Sequence, residues 1–316
     1  MEIRDYNLGD ESKILDLFRI VYNQKLPLEN WLWRFRDNPA GKHFIKLMWD
    51  DDKLVGHYAV SPLKMIVETR EFFTALSLTT MTHPEYQGRG IFSELSLALY
   101  HELEQKYNCK AIWGFPNNNS HYAFVKKLDW KNLVIQHTLA LNVFDLKPRG
   151  IEFSSEEIKN FKDSHHDYIS QKQAESSKVY VSYTSEYLNW RFINKPNSDY
   201  KCYEFKSEYD RSLIIVKLYR SLRSVRYVLN MICCFSDNYA GIHDYLKFII
   251  NDLDKDFEKV TIWKNLSDPD HLSLERQGFT PELPQTYVAS RIHESMPVSF
   301  SDFRNWNISM SDSDVF

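Results

Sequence analysis

The stretch best suited to chemistry runs His83-Pro84-Glu85-Tyr86-Gln87-Gly88-Arg89-Gly90-Ile91-Phe92, between a strand-like run and a helix-like one. Gly88 and Gly90 free the backbone to take dihedrals closed to other residues and let a ligand come close. A helix that starts at Ile91 leaves its first amide N–H groups without carbonyl partners, all pointing outward. With the helix dipole they form a site for phosphate or pyrophosphate, and Arg89 adds a charge-assisted contact. A Rossmann fingerprint needs a third glycine where Ser93 stands, and a P-loop needs a closing Gly-Lys-Ser/Thr, so neither is present. An ordinary strand-turn-helix corner remains the alternative.

The elements around this loop follow from periodicity. Ile3 to Tyr6 reads as a short strand, and Asp10 stands where it can cap a helix with Ile14, Leu17, Phe18 and Val21 on one face. His43 to Trp49 and Leu54 to Val60 are strands flanking the turn Asp50-Asp51-Asp52-Lys53. Phe72 to Met81 is a strand that His83-Pro84 ends, because proline lacks the donor a central strand needs. After the loop, Ile91, Leu95, Leu99 and Leu103 mark the buried face of a helix. Lys110 to Phe115 is a buried strand, Asn119 to Lys127 a second amphipathic helix, and Leu133 to Leu141 a closing strand. This order predicts an α/β fold with a mixed, mainly antiparallel sheet and flanking helices.

The chain also repeats itself. Trp33-Arg34-Phe35 recurs as Trp190-Arg191-Phe192, Ala111-Ile112-Trp113 as Thr261-Ile262-Trp263, and Lys127-Leu128-Asp129-Trp130 as Arg276-Gln277-Gly278-Phe279, at displacements of 157, 150 and 149 residues. A period of that size is a domain, not a solenoid unit. The expected organisation is a first domain over 1–146, a polar linker with a short solvated helix over 147–178, and a second, degenerate copy with a C-terminal tail over 179–316. In the second copy the loop position is Phe235-Ser236-Asp237-Asn238-Tyr239-Ala240-Gly241, with a single glycine, no arginine, and Asp237 where a pyrophosphate would be repelled.

Composition narrows the partners. With 39 basic and 43 acidic residues the net charge is -4, so there is no basic surplus for nucleic acid. No apolar run approaches the roughly 20 residues of a membrane span, and Met1-Glu2-Ile3-Arg4-Asp5 opens no signal peptide. Cys109, Cys202, Cys233 and Cys234 lack metal spacing and read as reduced thiols of a cytoplasmic protein, with adjacent Cys233 and Cys234 facing opposite ways. No metal site is expected.

Gln87-Gly88-Arg89-Gly90-Ile91-Phe92 resembles the Q/R-x-x-G-x-G/A acyl-CoA loop of the GNAT superfamily. Asn119-Ser120-His121-Tyr122-Ala123-Phe124-Val125-Lys126-Lys127-Leu128-Asp129-Trp130 resembles that family's second, Asn-started helix. The resemblance implies two tandem GNAT-like domains and an N-acetyltransferase that uses acetyl-CoA. It places the cofactor against Thr80, Met81, Thr82, Gln87, Gly88, Arg89, Gly90, Ile91, Phe92, Asn119 and Phe124. The Thr79-Thr80-Met81-Thr82 strand should splay from the Trp113 strand, with the Met81 or Thr82 N–H stabilising charge on the acyl oxygen. Two positions depart from the family pattern. Phe92 replaces a small residue, and its ring either turns into the helix–sheet interface or narrows the pocket. Val125 stands where many members carry a tyrosine acid, with Tyr122 one turn back.

For the proton of the amine, the candidates are Asp312 and Asp314 of the tail, which follow the Trp306 anchor, and His121; Tyr122 is the candidate acid. Trp31, Asn117 and His83 are assigned to the acceptor side. Tandem GNAT proteins of this appearance imply a small-molecule amine on a nucleotide-linked amino sugar of polysaccharide biosynthesis. An aminoglycoside or polyamine is the second acceptor class, and a non-catalytic acyl-CoA-binding protein is the reading from another class.

Overall fold

Strands with both faces apolar must be covered on both sides, and the chain does this with one large sheet between helical layers. The computed structural model describes residues 1–221 and 224–313. The first part of the chain forms β1 (Glu2–Asp5), α1 (Glu11–Tyr22), α2 (Leu28–Phe35), β2 (Phe44–Asp50), β3 (Lys53–Val67), β4 (Arg70–Thr82), α3 (Ile91–Tyr107), β5 (Ala111–Gly114), α4 (His121–Lys127) and β6 (Lys131–Asn142). The second part forms β7 (Phe153–Glu157), α5 (Asp163–Ser176), β8 (Val179–Val181), α6 (Ser185–Leu188), β9 (Lys201–Ser207), β10 (Arg211–Arg220), β11 (Tyr227–Ser236), α7 (Ile242–Leu253), β12 (Phe257–Trp263), α8 (Pro269–Arg276) and β13 (Thr280–Ile292). Among the described residues no helix is long and apolar enough to cross a membrane.

The sheet order is β1-β2-β3-β4-β5-β13-β6-β12-β11-β10-β9-β7, with β8 added to the end of β3. Read from either edge, corresponding strands come in the same sequence. The centre, however, is exchanged. β6 pairs with β12 and β13, and β13 pairs with β5, so each half donates its last strand to the other. The closing strand after Trp130 therefore does not close its own unit, and residue 146 does not end a self-contained sheet. The stretch expected as a linker, 147–178, contributes β7 to the sheet edge and α5 to the core, with Tyr168 and Ile169 buried. Its polar composition conceals a helix that turns only His165, Tyr168, Ile169 and Gln173 inward.

Three cores result. One face of the sheet carries a single cluster shared by both halves, which includes Trp31, Leu76, Trp113, Trp190, Cys233 and Trp306. The other face carries separate clusters beneath α3 and α7. Cys233 lies in the shared cluster and Cys234 in the α7 cluster, on opposite faces as alternation requires.

The repeated tryptophans meet each other. The Trp33 and Trp190 rings stack with centroids 4.7 Å apart, and each indole N–H donates to the other residue's backbone carbonyl, at 2.7 and 2.9 Å. Residues 157 apart in sequence thus occupy one reciprocal contact, which is what a two-fold relation between the halves produces. Either Trp33→Ala or Trp190→Ala should cost about 3–5 kcal/mol in urea denaturation. The double variant should cost about 1–2 kcal/mol less than the sum, because each change removes the same contact.

Candidate functional site

The site begins with a fault in β4. From Arg70 to Leu78 this strand pairs regularly with β3, but the register shifts between His57 and Ala59, so Thr79 and Thr80 together oppose Tyr58. Thr79 takes φ 51°, the left-handed region. The extra residue is a β-bulge, and it keeps Leu76, Leu78 and Met81 on the shared-core face despite their uneven spacing. On the other side, β4 pairs with β5 only at Ala75/Ile112 and Leu76/Trp113. Gly114 closes this short contact, since a Cβ there would lie 3.2 Å from the Ser77 carbonyl oxygen. Beyond it β5 runs on beside β13, and β4 from Ser77 to Thr82 has a neighbour on one side only.

The His83 N–H donates to the Val55 carbonyl at 2.9 Å. In an antiparallel ladder alternate amides face the partner, so the Met81 N–H also turns to β3, while the Thr82 and Thr80 N–H groups turn to the open edge. Of the two amides expected to meet an acyl oxygen, Thr82's faces the gap and Met81's does not.

Next comes the loop. Gly88 and Gly90 have φ 77° and 82°, which other residues adopt only with strain. Glu94 is the first α3 amide to find a carbonyl, that of Gly90 at 3.0 Å. Among the described residues the N–H groups of Gly88 to Ser93 have no hydrogen-bond partner, and they surround a cavity of about 160 Å³ that Thr82, Gln87, Ala123 and Lys127 also line. Arg89 folds back along this loop, donating to the Glu85 carbonyl at 3.1 Å with its guanidinium 4.6 Å from the Tyr86 ring centre. The Phe92 ring turns into the helix–sheet interface, edge-on to Phe124 at 5.1 Å and to Tyr58 at 5.9 Å, and leaves the amides clear. Unpaired amides, a positive dipole end and two nearby cations fit a diphosphate, and the open edge of β4 fits the extended arm that would follow it.

The other expected residues divide. Phe124 is buried against Trp130 at 4.4 Å and supports Phe92, and Asn119 is exposed outside the cavity. Asn117 accepts the Asn119 and Ser120 N–H groups at 3.0 and 3.1 Å, which shapes the start of α4. His121 bonds Asn132 at 2.6 Å and stacks on Tyr287 at 4.1 Å, while the Tyr122 ring is 67% exposed. His83 accepts the Glu85 N–H at 3.3 Å, the act of a turn residue. Trp31 is enclosed, 1% exposed among Tyr6, Phe35 and His43, so its ring packs the core and does not line a cleft.

The tail does dock. The Trp306 ring meets Trp113 at 5.4 Å, and Asn307 N–H bonds the Val179 carbonyl at 2.8 Å. Asp312 is buried, accepts the Tyr183 hydroxyl and the Ser309 N–H, and shares a small cavity with Leu76, Leu78 and Arg191. It therefore sits across β4 from the glycine loop. Burial pushes its carboxyl up to about 6, against the lowering pull of Tyr183, Ser309 and Arg191. Asp314 lies outside the described residues. Lys127 was quoted in the α4 motif without a role, and its place four residues after Ala123 on the helix was the available signal.

The corresponding loop of the second half is filled from within. Asp210 accepts the Asp237 and Asn238 N–H groups at 3.0 and 3.4 Å and the Ser236 hydroxyl at 2.8 Å. A Cβ on Gly241 would sit 2.4 Å from the Tyr245 ring. Asp237, expected as the repelling group, instead bonds Tyr168, Lys172 and the Arg211 N–H. Repulsion is replaced by occupation.

Residues 2–132 match the family of acetyltransferase (GNAT) domains. The matched stretch falls within the first unit and is less than half of the chain. The match stops where β6 leaves for the other half. In overall fold the chain is similar to a GCN5-related N-acetyltransferase from Anabaena variabilis (TM-score 0.70, 14% identity, 92% of this chain and 72% of that one). It is likewise similar to a conserved protein of unknown function and probable N-acyltransferase from Enterococcus faecalis (0.71, 14%, 92% and 72%). A third similar structure is a GCN5-related N-acetyltransferase from Kribbella flavida (0.67, 11%, 92% and 71%). No curated protein matches the sequence. The family match over residues 2–132 supports an acyl-CoA-dependent N-acyltransferase.

The GNAT loop makes a direct prediction. Gly90→Asp puts a carboxylate among the amides and should weaken coenzyme A binding at least about 100-fold in titration calorimetry, since it opposes both dipole and charge. Asn238→Asp in the filled loop should leave that affinity unchanged. Gly241→Asp is no control, because the Tyr245 ring stands in its way.

Proposed function

We propose that the protein transfers an acetyl group from acetyl-CoA to the amine of a small acceptor, at one site on the GNAT domain. The observation that carries this reading is the row of unpartnered amides from Gly88 to Ser93 beside the open edge of β4. Acetyl-CoA supplies an acyl group activated as a thioester. The loop amides, Arg89 and Lys127 hold the diphosphate; the Thr80 and Thr82 N–H groups receive the arm and the acyl oxygen. The second half roofs the opposite face of β4 with its tail and contributes no second cofactor site. We place the units of the duplication at 1–146 and 147–316, with the terminal strands exchanged.

Asp312 is our candidate for the group that takes the amine proton. It lies on the face of β4 opposite the loop, which separates donor and acceptor, and a carboxyl raised to about 6 is a competent base near neutrality. Folding raises this group above its ordinary 3.8, so its contribution to stability is full below that value and is lost as pH rises through about 6. Turnover has the opposite slope: kcat/KM should increase through pH about 6. Asp312→Asn should abolish that rise and lower kcat about 100-fold or more; an unaltered profile would remove Asp312 from the mechanism.

For the acceptor we propose a nucleotide-linked amino sugar first, with room for it in a cleft of about 690 Å³ between the halves that the stacked Trp33–Trp190 pair borders. The same cleft carries Glu29 and Glu186, with Asp37 paired to Arg36, and this acidic surplus favours a second reading, a cationic acceptor such as a polyamine or aminoglycoside. Thiol release from acetyl-CoA over a panel of nucleotide amino sugars, polyamines and aminoglycosides separates them. The first reading expects turnover with nucleotide amino sugars alone. Thiol release with none, alongside measurable coenzyme A binding, would make the protein an acyl-CoA-binding module.

A further inference from the structure

His57 takes no part in anything described so far, yet it touches the one irregular point of β4. It lies on β3 opposite Met81, is fully buried, and packs edge-on to Phe35 at 6.3 Å. Its Nδ1 is 2.7 Å from the Thr79 carbonyl oxygen. A carbonyl only accepts, so Nδ1 carries the proton, and Nε2 is left as a lone pair. That Nε2 is buried with no partner among the described residues. Burial also drives the ring's proton affinity down to about 4, so it is neutral at pH 7. A hydrocarbon of similar size would carry no orphaned acceptor, and the hydrogen bond to Thr79 is what the imidazole adds at this position.

That bond does the work a regular ladder would do elsewhere. At the bulge the Thr79 carbonyl has lost its place in the β3 ladder, and the His57 side chain replaces the missing donor. A trans peptide points its C=O and N–H in opposite directions. Fixing the Thr79 carbonyl toward β3 therefore fixes the Thr80 N–H toward the open edge of β4. The Thr80 carbonyl is held in its turn by the Tyr22 hydroxyl at 2.8 Å, from α1.

We infer that His57 is the positioning residue that clamps the β4 bulge so that the Thr80 N–H points at the acyl oxygen of the bound donor. This rests on the reading that the open edge of β4 receives acetyl-CoA. His57 touches neither donor nor acceptor; it acts through the Thr79–Thr80 peptide.

The test is a binding comparison that needs no acceptor. Acetyl-CoA and its thioether analogue S-ethyl-CoA, which lacks the carbonyl, are titrated by calorimetry into the full chain and into His57→Asn, His57→Gln and His57→Leu. The unaltered protein should prefer acetyl-CoA about fivefold, the worth of one hydrogen bond. Asn carries its N–H donor near the position of Nδ1 and should keep the preference. Gln, whose donor lies one bond further out, and Leu, which has none, should lose it while binding S-ethyl-CoA as before. Equal preference in all four proteins, no preference in the unaltered one, or an Asn variant no better than Leu would overturn the inference. Failure of the unaltered protein to bind either compound would instead overturn the acetyl-CoA reading itself. Should the Leu variant not fold, the Asn and Gln pair decides alone.

Discussion

A helix begins with amides it cannot satisfy, and something outside the helix must. The structure poses this problem twice at equivalent places. Before α7 the answer is internal: Asp210 takes the Asp237 and Asn238 N–H groups, the Ser236 hydroxyl, the Asn238 side chain and the Tyr239 carbonyl take those of Tyr239, Ala240 and Ile242, and the Tyr245 ring covers Gly241. Before α3 the glycines at 88 and 90 hold the same kind of turn open, and among the described residues no carboxylate accepts from its amides, although Glu94 stands beside Gly90. On the proposed reading, a ligand with negative oxygens supplies from solvent what those groups supply from within. Which half works and which half supports is decided by that one difference.

The supporting half is not separable. Its last strand, β13, lies against β5 where the first half's own β6 would otherwise fall, and β6 is committed to β12. One core spans both halves on the acceptor face, pinned by the reciprocal Trp33–Trp190 contact and by the tail through Trp306. The bulged, one-sided segment of β4 would be an exposed edge in an isolated first domain. Here α1 and the tail flank it, and the tail brings a buried carboxylate to its far side.

Much of this was legible in the residues. The glycine spacing with the following apolar helix marks the loop whose amides stay unpaired, and the three short matches in register fall at corresponding places in the strand order of the two halves. What escaped was whatever depends on pairing between distant strands. Nothing in Lys131–Asn142 says which half it joins, because an alternating strand suits either edge. Residues 147–178 read as a linker because β7 is an edge strand and α5 reaches the core through few apolar side chains, Tyr168 and Ile169. Trp31 invited a functional reading that burial removes, since Trp31, Trp33 and Phe35 all pack into the shared core. His57 carried no signal at all: a lone histidine in an apolar strand becomes informative only when its partner, a bulged carbonyl, is seen.

The account stands on the glycine-loop amides embracing a diphosphate. A crystal structure of the protein with coenzyme A tests it most directly. The diphosphate oxygens are expected within hydrogen-bonding distance of the amides from Gly88 to Ser93, with the pantetheine arm along the open edge of β4 and Asp210 still seated in the second loop. Coenzyme A lodged elsewhere, or at the second loop with Asp210 displaced, would contradict it.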